Sequence, residues 1–406
     1  MKLRPYQQEL AFKCAGKLGE HKICYLAMEV RTGKTLTSLA AAELIGASNV
    51  LFLTKKKAIK SIESDYNNFG FEFNLKVINN ESMHKVSGDF DLLISDEHHR
   101  NAAYPKPNQS TKFIKEHWGR LPMIFLSGTP FPESYSQVFH SYWVSDHSPF
   151  SHTNFYKWVK DYVNVKQIRK AGGMLSNDYS DADWEKIRPQ IEHTLLTFTQ
   201  KEAGFTSDVV EHFIPVEMKS STYRIMRLLK RDKVVQGKGG VILADTDIKL
   251  MQKCHQISSG TCKLEGGEGV ILDDTKARQI KKIFNGKKIG IFYKFKAEWD
   301  CIKQVFGDDV TNNLEEFNET DKSIALQIVS GREGISLKEA DCIVYFNIDF
   351  SAVSYWQSRD RLTTMDRLVN DVYWVFSTEG IESKVYKAVS AKKDFTLSLF
   401  RRDINN

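Results

Sequence analysis

Short, continuous apolar runs of strand length occur in two groups along the chain, and this feature restricts the possible fold most. The first group lies at 22–29, 49–56, 90–97 and 122–129, and the second at 287–295, 323–330, 341–348 and 371–378. The runs do not alternate with polar residues, and helix-forming stretches such as 35–46 separate them. Continuous apolar strands joined by helices are typical of parallel sheets that are buried on both faces. The sequence therefore predicts an α/β protein with two parallel-sheet lobes.

The segment between the two groups, from about residue 131 to 280, has a different character. It is rich in aromatic and charged amphipathic stretches and has few runs of buried-strand type, so we predict mainly helical insertions between the lobes. A chain of 406 residues also exceeds the ~250–300 residues at which single cores stop growing. The predicted organisation is a first lobe over 1–135, a helical excursion of that lobe over 136–205, a helical approach to the second lobe over 206–280, and a second lobe over 281–406.

Composition places the chain among ordinary globular proteins. Hydrophobic residues make up 41% and charged residues 27%, and the formal net charge of +6 permits a polyanionic partner without requiring one. The six cysteines form no CxxC pair, which indicates reduced, buried thiols. No apolar run reaches the ~18–20 residues of a membrane span, and the N-terminal segment has no signal-peptide pattern. We therefore expect a soluble cytoplasmic protein without a membrane partner.

A candidate phosphate-binding loop follows the first apolar run. The stretch "AMEVRTGKTLTSLAAAEL" contains Gly33, Lys34 and Thr35 immediately before a helix-forming segment, although Met28 stands where the pattern GxxxxGK[ST] has its first glycine. At such a loop, backbone N–H groups and the lysine bind phosphates, and the hydroxyl ligates Mg²⁺. A chance GKT in an unrelated loop is the alternative interpretation.

An acidic pair follows the third apolar run. "LLISDEHHR" ends the run with Asp96 and Glu97, about sixty residues after the GKT. One carboxylate in such a pair can hold Mg²⁺, and its neighbour can polarise an attacking water. The adjacent histidines, His98 and His99, project differently and would make a poor metal pair without further ligands. We interpret them as residues that link the nucleotide site to other loops.

These motifs resemble those of the superfamily 2 helicases and translocases, in particular the Swi/Snf-like branch with its DExH signature. "LRPYQ" (3–7) resembles the first motif, "AMEVRTGKT" resembles a phosphate loop that also lacks the first glycine, and "DEHH" and "LSGTP" (126–130) resemble the next signatures. The resemblance implies two RecA-like lobes, with Gln7 reading adenine. It further implies roles in ATP binding for Arg4, Arg31, Thr32, Gly33, Lys34 and Thr35, in Mg²⁺ binding for Thr35 and Asp96, and in coupling to the other lobe for Ser127, Gly128 and Thr129.

The C-terminal part carries the most specific resemblance. The stretch 329–361 follows the fifth and sixth motifs of the family without gaps, and 250–260 is similar to the helix that opens the second lobe. By resemblance, Gly334, Gln357 and Arg361 serve the nucleotide from the second lobe, and the catalytic set is Lys34, Asp96, Glu97, Gln357 and Arg361. The family usually carries a second arginine where this chain has Thr364. Arg361 acts alone on this interpretation, or Arg359 or Arg367 replaces the missing side chain.

The resemblance implies an ATP- and Mg²⁺-dependent motor on DNA. Its partners would be single-stranded, forked or branched DNA. The chain also resembles small phage-encoded members of the family, which implies remodelling such as branch migration in the host cytoplasm. The implied nucleic-acid contacts are Thr54, Lys55, Lys56, Lys294, Gly331 and Arg332. An RNA-dependent ATPase and a slow, nucleotide-controlled adaptor are the alternatives.

Aromatic residues in the segment 142–163 could stack on bases or form a wedge at a fork. Phe155, Trp158 and Tyr162 fall at helical spacing, which favours core packing over base stacking. We therefore expect these three rings to belong to a hydrophobic core.

Overall fold

The structure, a computed structural model, describes residues 2–169, 174–205, 208–237, 239–331, 335–359, 361–362 and 369–391. The candidate residues Arg332, Gly334, Thr364 and Arg367 lie outside these ranges. The chain divides into two compact units, Met1–Gly204 and Phe205–Asn406.

The first unit is an α/β structure in which helices and strands alternate. Its helices are α1 (Pro5–His21), α2 (Lys34–Leu44), α3 (Ile59–Phe69), α4 (Gln109–Trp118), α5 (Gln137–Trp143), α6 (Phe155–Tyr162) and α7 (Trp184–Ile191). Its strands are β1 (Ile23–Met28), β2 (Asn49–Thr54), β3 (Asn74–Asn79), β4 (Leu92–Ser95), β5 (Met123–Leu126), β6 (Lys166–Arg169), β7 (Leu175–Asp178) and β8 (Leu195–Phe198).

Six of these strands form one parallel sheet in the order β3-β2-β4-β5-β1-β8. Successive residues of a strand point to opposite faces. In β1, Cys24 and Leu26 pack in the core on one face, and Ile23 and Tyr25 pack in the core on the other. Burial on both faces is the reason that the strands read as continuous apolar runs. The predicted parallel sheet of the first lobe is confirmed.

The second unit repeats this architecture. Its strands are β9 (Asp208–Val216), β10 (Val234–Gly237), β11 (Gly240–Leu243), β12 (Thr261–Lys263), β13 (Gly269–Ile271), β14 (Ile289–Tyr293), β15 (Val310–Thr311), β16 (Ser323–Gln327), β17 (Cys342–Tyr345) and β18 (Val369–Ser377). Its helices are α8 (Ser220–Asp232), α9 (Asp247–Ser258), α10 (Thr275–Ile283), α11 (Lys296–Phe306), α12 (Leu314–Glu319), α13 (Ile328–Gly331), α14 (Ala352–Arg359) and α15 (Glu382–Ser390).

A second six-stranded parallel sheet has the order β15-β16-β14-β17-β18-β9. Its central strand β17 alternates in the same way, with Ile343 and Tyr345 in one core and Cys342 and Val344 in the other. The two parallel-sheet lobes expected from the sequence are thus present, one in each unit.

The segment between the apolar groups contains strands as well as helices. β8 joins the edge of the first sheet beside β1, and β9 joins the edge of the second sheet beside β18. β6 and β7 form an antiparallel hairpin. These strands are edge or hairpin strands, and apart from Val216 their residues are exposed or half-buried. They therefore lack the continuous apolar signal by which the central strands are recognised.

The packing of two residue groups agrees with the sequence-based expectations. Phe155 and Trp158 are buried in a core of the first unit, and Tyr162 packs against it. All six cysteines are free and buried. Among the described residues, no helix combines the length and the apolar character that a membrane crossing requires.

Candidate functional site: a nucleotide-binding loop and an acidic pair

The candidate phosphate loop connects the C-terminal end of β1 to the first residue of α2. Gly33 adopts a left-handed backbone with φ of 83°, and Arg31 does the same with φ of 64°. A Cβ atom on Gly33 would lie 2.0 Å from the side-chain nitrogen of Gln7. Both the backbone conformation and the close approach require glycine here. The loop therefore turns sharply and presents the N-terminus of an eleven-residue helix at the end of a central strand.

Lys34 is the first residue of α2, and its ammonium group lies over the loop. Its Nζ donates to the carbonyl oxygens of Met28 at 2.9 Å and Glu29 at 3.0 Å. The buried Thr32 donates its hydroxyl to the Glu29 carbonyl at 2.7 Å. Thr35 is half-buried in the first turn of the helix. These contacts give the loop a defined shape and hold the lysine at the helix N-terminus, where backbone N–H groups favour anions.

The first motif packs against this loop. The backbone N–H of Arg4 donates to Oε1 of Gln7 at 2.9 Å at the start of α1. Gln7 is buried and its amide nitrogen faces Gly33. The Arg4 guanidinium donates to the hydroxyl of Tyr6, whose ring stacks on Phe198. The structure thus brings the predicted base reader and the predicted phosphate loop together.

Gln200 forms hydrogen bonds to the loop that cannot be recognised from the sequence. The Gln200 side chain donates to the carbonyl of Val30 at 3.0 Å, and its backbone N–H donates to the Glu29 carboxylate at 2.7 Å. The backbone N–H of Glu29 in turn donates to the Phe198 carbonyl at 2.9 Å. Gln200 follows β8, about 170 residues away along the chain. No local pattern identifies this contact, because it depends on β8 lying beside β1.

The acidic pair follows β4, next to the strand end of β2. The Thr54 hydroxyl donates to Oδ2 of Asp96 at 2.7 Å, and the backbone N–H of Glu97 donates to Oδ1 at 3.0 Å. Burial and the neighbouring Glu97 raise the pKa of Asp96 to about 6, against the lowering effects of the Thr54 hydrogen bond and the Lys34 charge. The Asp96 carboxylate thus accepts two hydrogen bonds, but the negative charge of Glu97 lies beside it.

The pKa of Glu97 is shifted in the opposite direction from that of Asp96. Burial acts to raise the pKa of the Glu97 carboxyl group. The positive charges of His99, Lys55 and Lys34 outweigh burial, so that the pKa is lowered. Glu97 also has a left-handed backbone with φ of 49°, which is uncommon for a residue other than glycine. The charge of Lys34 acts to lower the pKa of both carboxyl groups.

The predicted coupling residues lie beside Glu97. Nδ1 of His99 is 3.3 Å from the Glu97 carboxylate and 3.0 Å from the Ser127 hydroxyl. The backbone N–H of Thr129 donates to the same hydroxyl at 3.1 Å. Gly128 packs against the loop, since a Cβ atom there would lie 3.5 Å from the Met28 carbonyl oxygen. His99 therefore connects the acidic pair to the segment 127–129, as expected for a linking residue.

His98 is a structural residue. It is fully buried, with Nδ1 2.9 Å from the Ser95 hydroxyl and Nε2 2.8 Å from the Ser141 carbonyl oxygen. Its ring stacks on Phe125 at 3.7 Å. Burial lowers its pKa to about 3, so the ring is neutral. Within the described ranges no three His, Cys, Asp or Glu residues are grouped as a metal site would need.

The predicted nucleic-acid contacts of the first unit differ in their exposure. Thr54 is fully buried and its hydroxyl bonds to Asp96, so this side chain lies at the acidic pair and not at the surface. Lys55 is half-buried and its charge acts on Glu97. Lys56 is exposed at the start of the short turn Lys56–Ala58. Of the three, Lys56 is placed best for a surface contact.

The candidate residues of the second unit are held by internal contacts. The Lys294 ammonium pairs with Asp349 and lies 4.4 Å from the ring centre of Phe350. Gly331 is enclosed, because a Cβ atom there would lie 2.9 Å from Leu326 and Phe292. Arg361 is buried and donates to the Ile335 carbonyl at 3.2 Å.

Two further residues of the sixth motif lie on α14. Gln357 belongs to this helix, and its side chain is not described. Arg359, the last residue of α14, donates to the Tyr355 hydroxyl at 3.4 Å, and Tyr355 in turn donates to the Glu211 carboxylate at 3.0 Å. Glu211 on the edge strand β9 also accepts hydrogen bonds from Trp374 and Tyr386. No sequence pattern indicates this cluster.

Comparison with known proteins supports the fold. Neither protein-family models nor curated protein sequences give a match to the chain. Among solved structures, the Hef helicase domain of Pyrococcus furiosus is similar with a TM-score of 0.53 and 14% identity over 96% of this chain and 98% of that one. At this identity the similarity concerns the fold alone, and it supports a two-lobe, RecA-like α/β fold.

Two structures of the SWI2/SNF2 ATPase core of Sulfolobus solfataricus are also similar. The core in complex with dsDNA has a TM-score of 0.42 and 15% identity, and covers 99% of this chain and 92% of that one. The core domain alone has a TM-score of 0.43 and 15% identity, and covers 99% and 90%. Both TM-scores lie below one half, so these two similarities add no support for the fold.

Proposed function

We propose that the chain is an ATP-dependent DNA helicase or translocase, which couples ATP hydrolysis to movement on forked or branched DNA or to its remodelling. One observation carries the proposal: Lys34 follows the C-terminal end of β1, and Asp96 and Glu97 follow that of β4, so all three lie at the carboxyl edge of one parallel sheet. The charge of Lys34 acts to lower the pKa of both carboxyl groups. A lysine at a helix N-terminus beside an acidic pair is the arrangement that phosphoryl transfer needs. The helicase fold supports the same interpretation.

The residues of the loop fit a nucleotide with Mg²⁺. Gly33 lets the Gln7 side chain pack against the loop, and α2 is long enough to give a helix N-terminus. The Thr35 hydroxyl and the Asp96 carboxylate are hard oxygen donors of the type that Mg²⁺ prefers. A bound Mg²⁺ would supply positive charge toward phosphate oxygens. Burial and the neighbouring Glu97 raise the pKa of Asp96, and a bound cation would offset both effects.

The protein groups then have separate tasks. Lys34 would bind the terminal phosphate oxygens, and Gln7, buried against the loop, would bind the base. Thr54 fixes the orientation of Asp96 through its hydrogen bond. Glu97, with its lowered pKa, is ionised at neutral pH and would orient the attacking water and accept its proton.

The contacts of Glu97 suggest a route for coupling. His99 lies within hydrogen-bonding range of Glu97 and Ser127, and Ser127 holds the backbone of Thr129. A change at the carboxylate would therefore reach the segment 127–129 through one side chain.

Further residues enter the proposal through the family motifs. We include Gln357, Gly334 and Arg361 in the proposed reaction because they match those motifs. For the nucleic acid we propose Lys56 as a phosphate contact, because it is exposed. The further candidates are Lys55, Lys294, Gly331 and Arg332.

The test is steady-state ATP hydrolysis without polymer and with single-stranded DNA, duplex, forked DNA or RNA. Lys34→Ala is the control, since it removes the ammonium group and leaves the helix intact. We expect strong stimulation by one form of DNA and a loss of at least ~10²-fold in the control, as for other groups that stabilise the transition state by charge. Stimulation by RNA alone would favour an RNA-dependent ATPase. Equal rates near the control with every polymer would contradict the motor and favour a nucleotide-controlled adaptor.

A further inference from the structure

A pocket lies on the first unit between the β6–β7 hairpin and the segment that follows the acidic pair. It has a volume of about 350 Å³ and is lined by Tyr104, Pro105, Ile168, Ser176, Asn177, Asp178 and Tyr179. Ile168 pairs with Ser176 across the hairpin, and Asp178 lies two residues further on the same face. Residues of the hairpin thus form one wall of the pocket, and the Tyr104-Pro105 segment forms another.

The walls combine flat rings with groups that can form hydrogen bonds. Tyr104 and Tyr179 bring two aromatic rings, and Pro105 and Ile168 bring apolar surface. The Asn177 amide donates to the Tyr179 hydroxyl at 3.2 Å, which orders both side chains at the rim. The Asp178 carboxylate accepts from the backbone N–H of Ser180 at 2.9 Å and has further acceptor capacity. Flat rings with a few polar groups of this kind are typical of small-ligand sites.

The charges around the pocket restrict the ligand. Asp178 in the lining disfavours a phosphate or another anion inside the pocket, whereas a carboxylate and an amide match the amino groups and ring nitrogens of a base. Two lysines lie outside the lining. Lys106 is exposed next to Pro105, and Lys166 is exposed at 66% on the hairpin, where it pairs with Asp181 at 2.8 Å. The pocket lining therefore suits a nucleobase, and the two lysines outside it suit the phosphates.

The hairpin also exposes apolar side chains beyond the pocket. Met174 is 73% exposed and Ile168 is 43% exposed, and Leu175 and Val165 are exposed as well. Proteins that bind single strands combine such stacking surface with basic residues along the backbone path. The exposed apolar face therefore continues from the pocket along the hairpin.

We propose that this pocket binds an unpaired nucleobase of a single-stranded nucleic acid, by stacking on Tyr179 and Tyr104 and by hydrogen bonds to Asp178 and Asn177. The inference rests on the proposed function, because it deepens the nucleic-acid partner of the motor.

The pocket wall is also close in sequence to the acidic pair. Tyr104 follows the turn His98–Asn101, and Nδ1 of His140 holds the Ala103 carbonyl at 2.7 Å. The wall that contains Tyr104 is thus joined to Glu97 by residues 98–103.

The test measures binding of a single-stranded DNA of about twelve nucleotides, within the site sizes of single-strand binders, with 2-aminopurine at its centre. The variants are Tyr179→Ala, Tyr179→Phe and Ile168→Asp, and Phe12→Ala is the control because Phe12 is exposed in the same unit and does not line the pocket. A second oligonucleotide carries abasic positions. Thermal unfolding checks that each variant is folded.

We expect Tyr179→Ala to weaken the Kd about 5- to 150-fold, the range of one lost base stack. The slope of log K against log salt should remain unchanged, because no phosphate contact is removed. Ile168→Asp, at an exposed position, should weaken binding and remove the fluorescence change. Tyr179→Phe keeps the ring and loses only the hydroxyl that accepts from Asn177, so it should weaken binding much less than Tyr179→Ala. Phe12→Ala should bind like the wild type, and the abasic strand should bind the wild type as weakly as the normal strand binds Tyr179→Ala.

Other outcomes would overturn the inference. Unchanged binding in Tyr179→Ala and Ile168→Asp would do so and would leave the pocket to a protein side chain or another occupant. Equal affinity for the normal and abasic strands would do so as well. In both cases nucleic-acid-stimulated ATP hydrolysis would still stand, so only the pocket would be rejected. Absence of any nucleic-acid binding or stimulation would reject the pocket together with the proposed function.

Discussion

Each unit contains a six-stranded parallel sheet, but the charged side chains of the two units have different surroundings. In the first unit, Lys34, Asp96 and Glu97 lie together at strand ends, and burial and the charge of Glu97 raise the pKa of Asp96. In the second unit, Lys294 pairs with Asp349, and Arg361 donates to a carbonyl oxygen. The first arrangement carries an electrostatic cost at a candidate active site, as ionisable groups at functional sites commonly do.

Two groups of buried charged residues in the second unit have several partners each. Glu298 is fully buried and accepts hydrogen bonds from Ser259, from Asn347 and from the backbone N–H groups of Lys294 and Phe295. Lys276 and Glu382, both fully buried, form an ion pair, and Lys276 also donates to the Phe346 carbonyl at 3.1 Å. The comparison suggests that these buried charged groups of the second unit have partners within that unit, whereas the acidic pair of the first unit is arranged to meet a ligand.

The largest expected effect concerns the arginines of the second unit. We predict that Arg361→Ala lowers the kcat of nucleic-acid-stimulated hydrolysis by ~10³-fold or more, the scale of an arginine that stabilises transition-state charge. Arg359→Ala should lower it less, because the Arg359 guanidinium lies against Tyr355 in the Glu211 cluster. Single-turnover kinetics with both variants, and with Arg361→Lys as the conservative control, measure the difference. A larger loss in Arg359→Ala would assign the role to Arg359.

The next effect concerns the stability of the second unit. Lys276→Met should destabilise the protein by ~3–5 kcal/mol, because it leaves the buried Glu382 carboxylate without its partner. The double variant Lys276→Met/Glu382→Leu should recover most of this loss, since neither charge is then buried. Thermal unfolding of the single and double variants measures both effects. Similar transitions for the single variant and the wild type would show that the ion pair does not stabilise this unit.

These comparisons also show what the sequence could and could not predict. The phosphate loop is recognisable because Gly33, Lys34 and the end of β1 are neighbours in the chain. The partners of Thr54 and Lys294 cannot be recognised from the sequence, because their hydrogen bonds join residues about 40 and 55 positions apart. The same holds for Gln200, whose contact with the loop needs β8 in place. Central strands are recognisable by their burial on both faces, and edge strands such as β9 are not.

A smaller effect on stability is expected at the acidic pair. Removal of a charge should stabilise the protein there, whereas Lys276→Met should destabilise it. The pKa of Asp96 rises from 3.8 to about 6 on folding, so the native state binds this proton more tightly than the unfolded state. Ionised Asp96 therefore costs stability above about pH 6, and the cost disappears below about pH 4. Asp96→Asn should stabilise the protein by ~1–3 kcal/mol at about pH 8 and by much less near pH 4. Unfolding at both pH values measures this.

A matched variant, Thr54→Val, removes the hydrogen bond that lowers the pKa of Asp96. The acidic limb of the pH profile of hydrolysis should then move to higher pH, because Asp96 must be ionised to hold Mg²⁺. An unchanged limb in Thr54→Val, or an Asp96→Asn protein whose stability relative to the wild type is the same at both pH values, would show that Asp96 has an ordinary pKa.

The most direct test of the difference between the units is the behaviour of Glu97→Gln. This change keeps the shape of the side chain and removes its ability to accept a proton, while Lys34 and the loop remain. We predict that ATP with Mg²⁺ binds with a Kd within a few-fold of the wild type, measured by calorimetry, and that kcat falls by ~10²-fold or more, the scale of general-base catalysis. Hydrolysis at the wild-type rate in Glu97→Gln would contradict the assignment of the acidic pair as the catalytic centre.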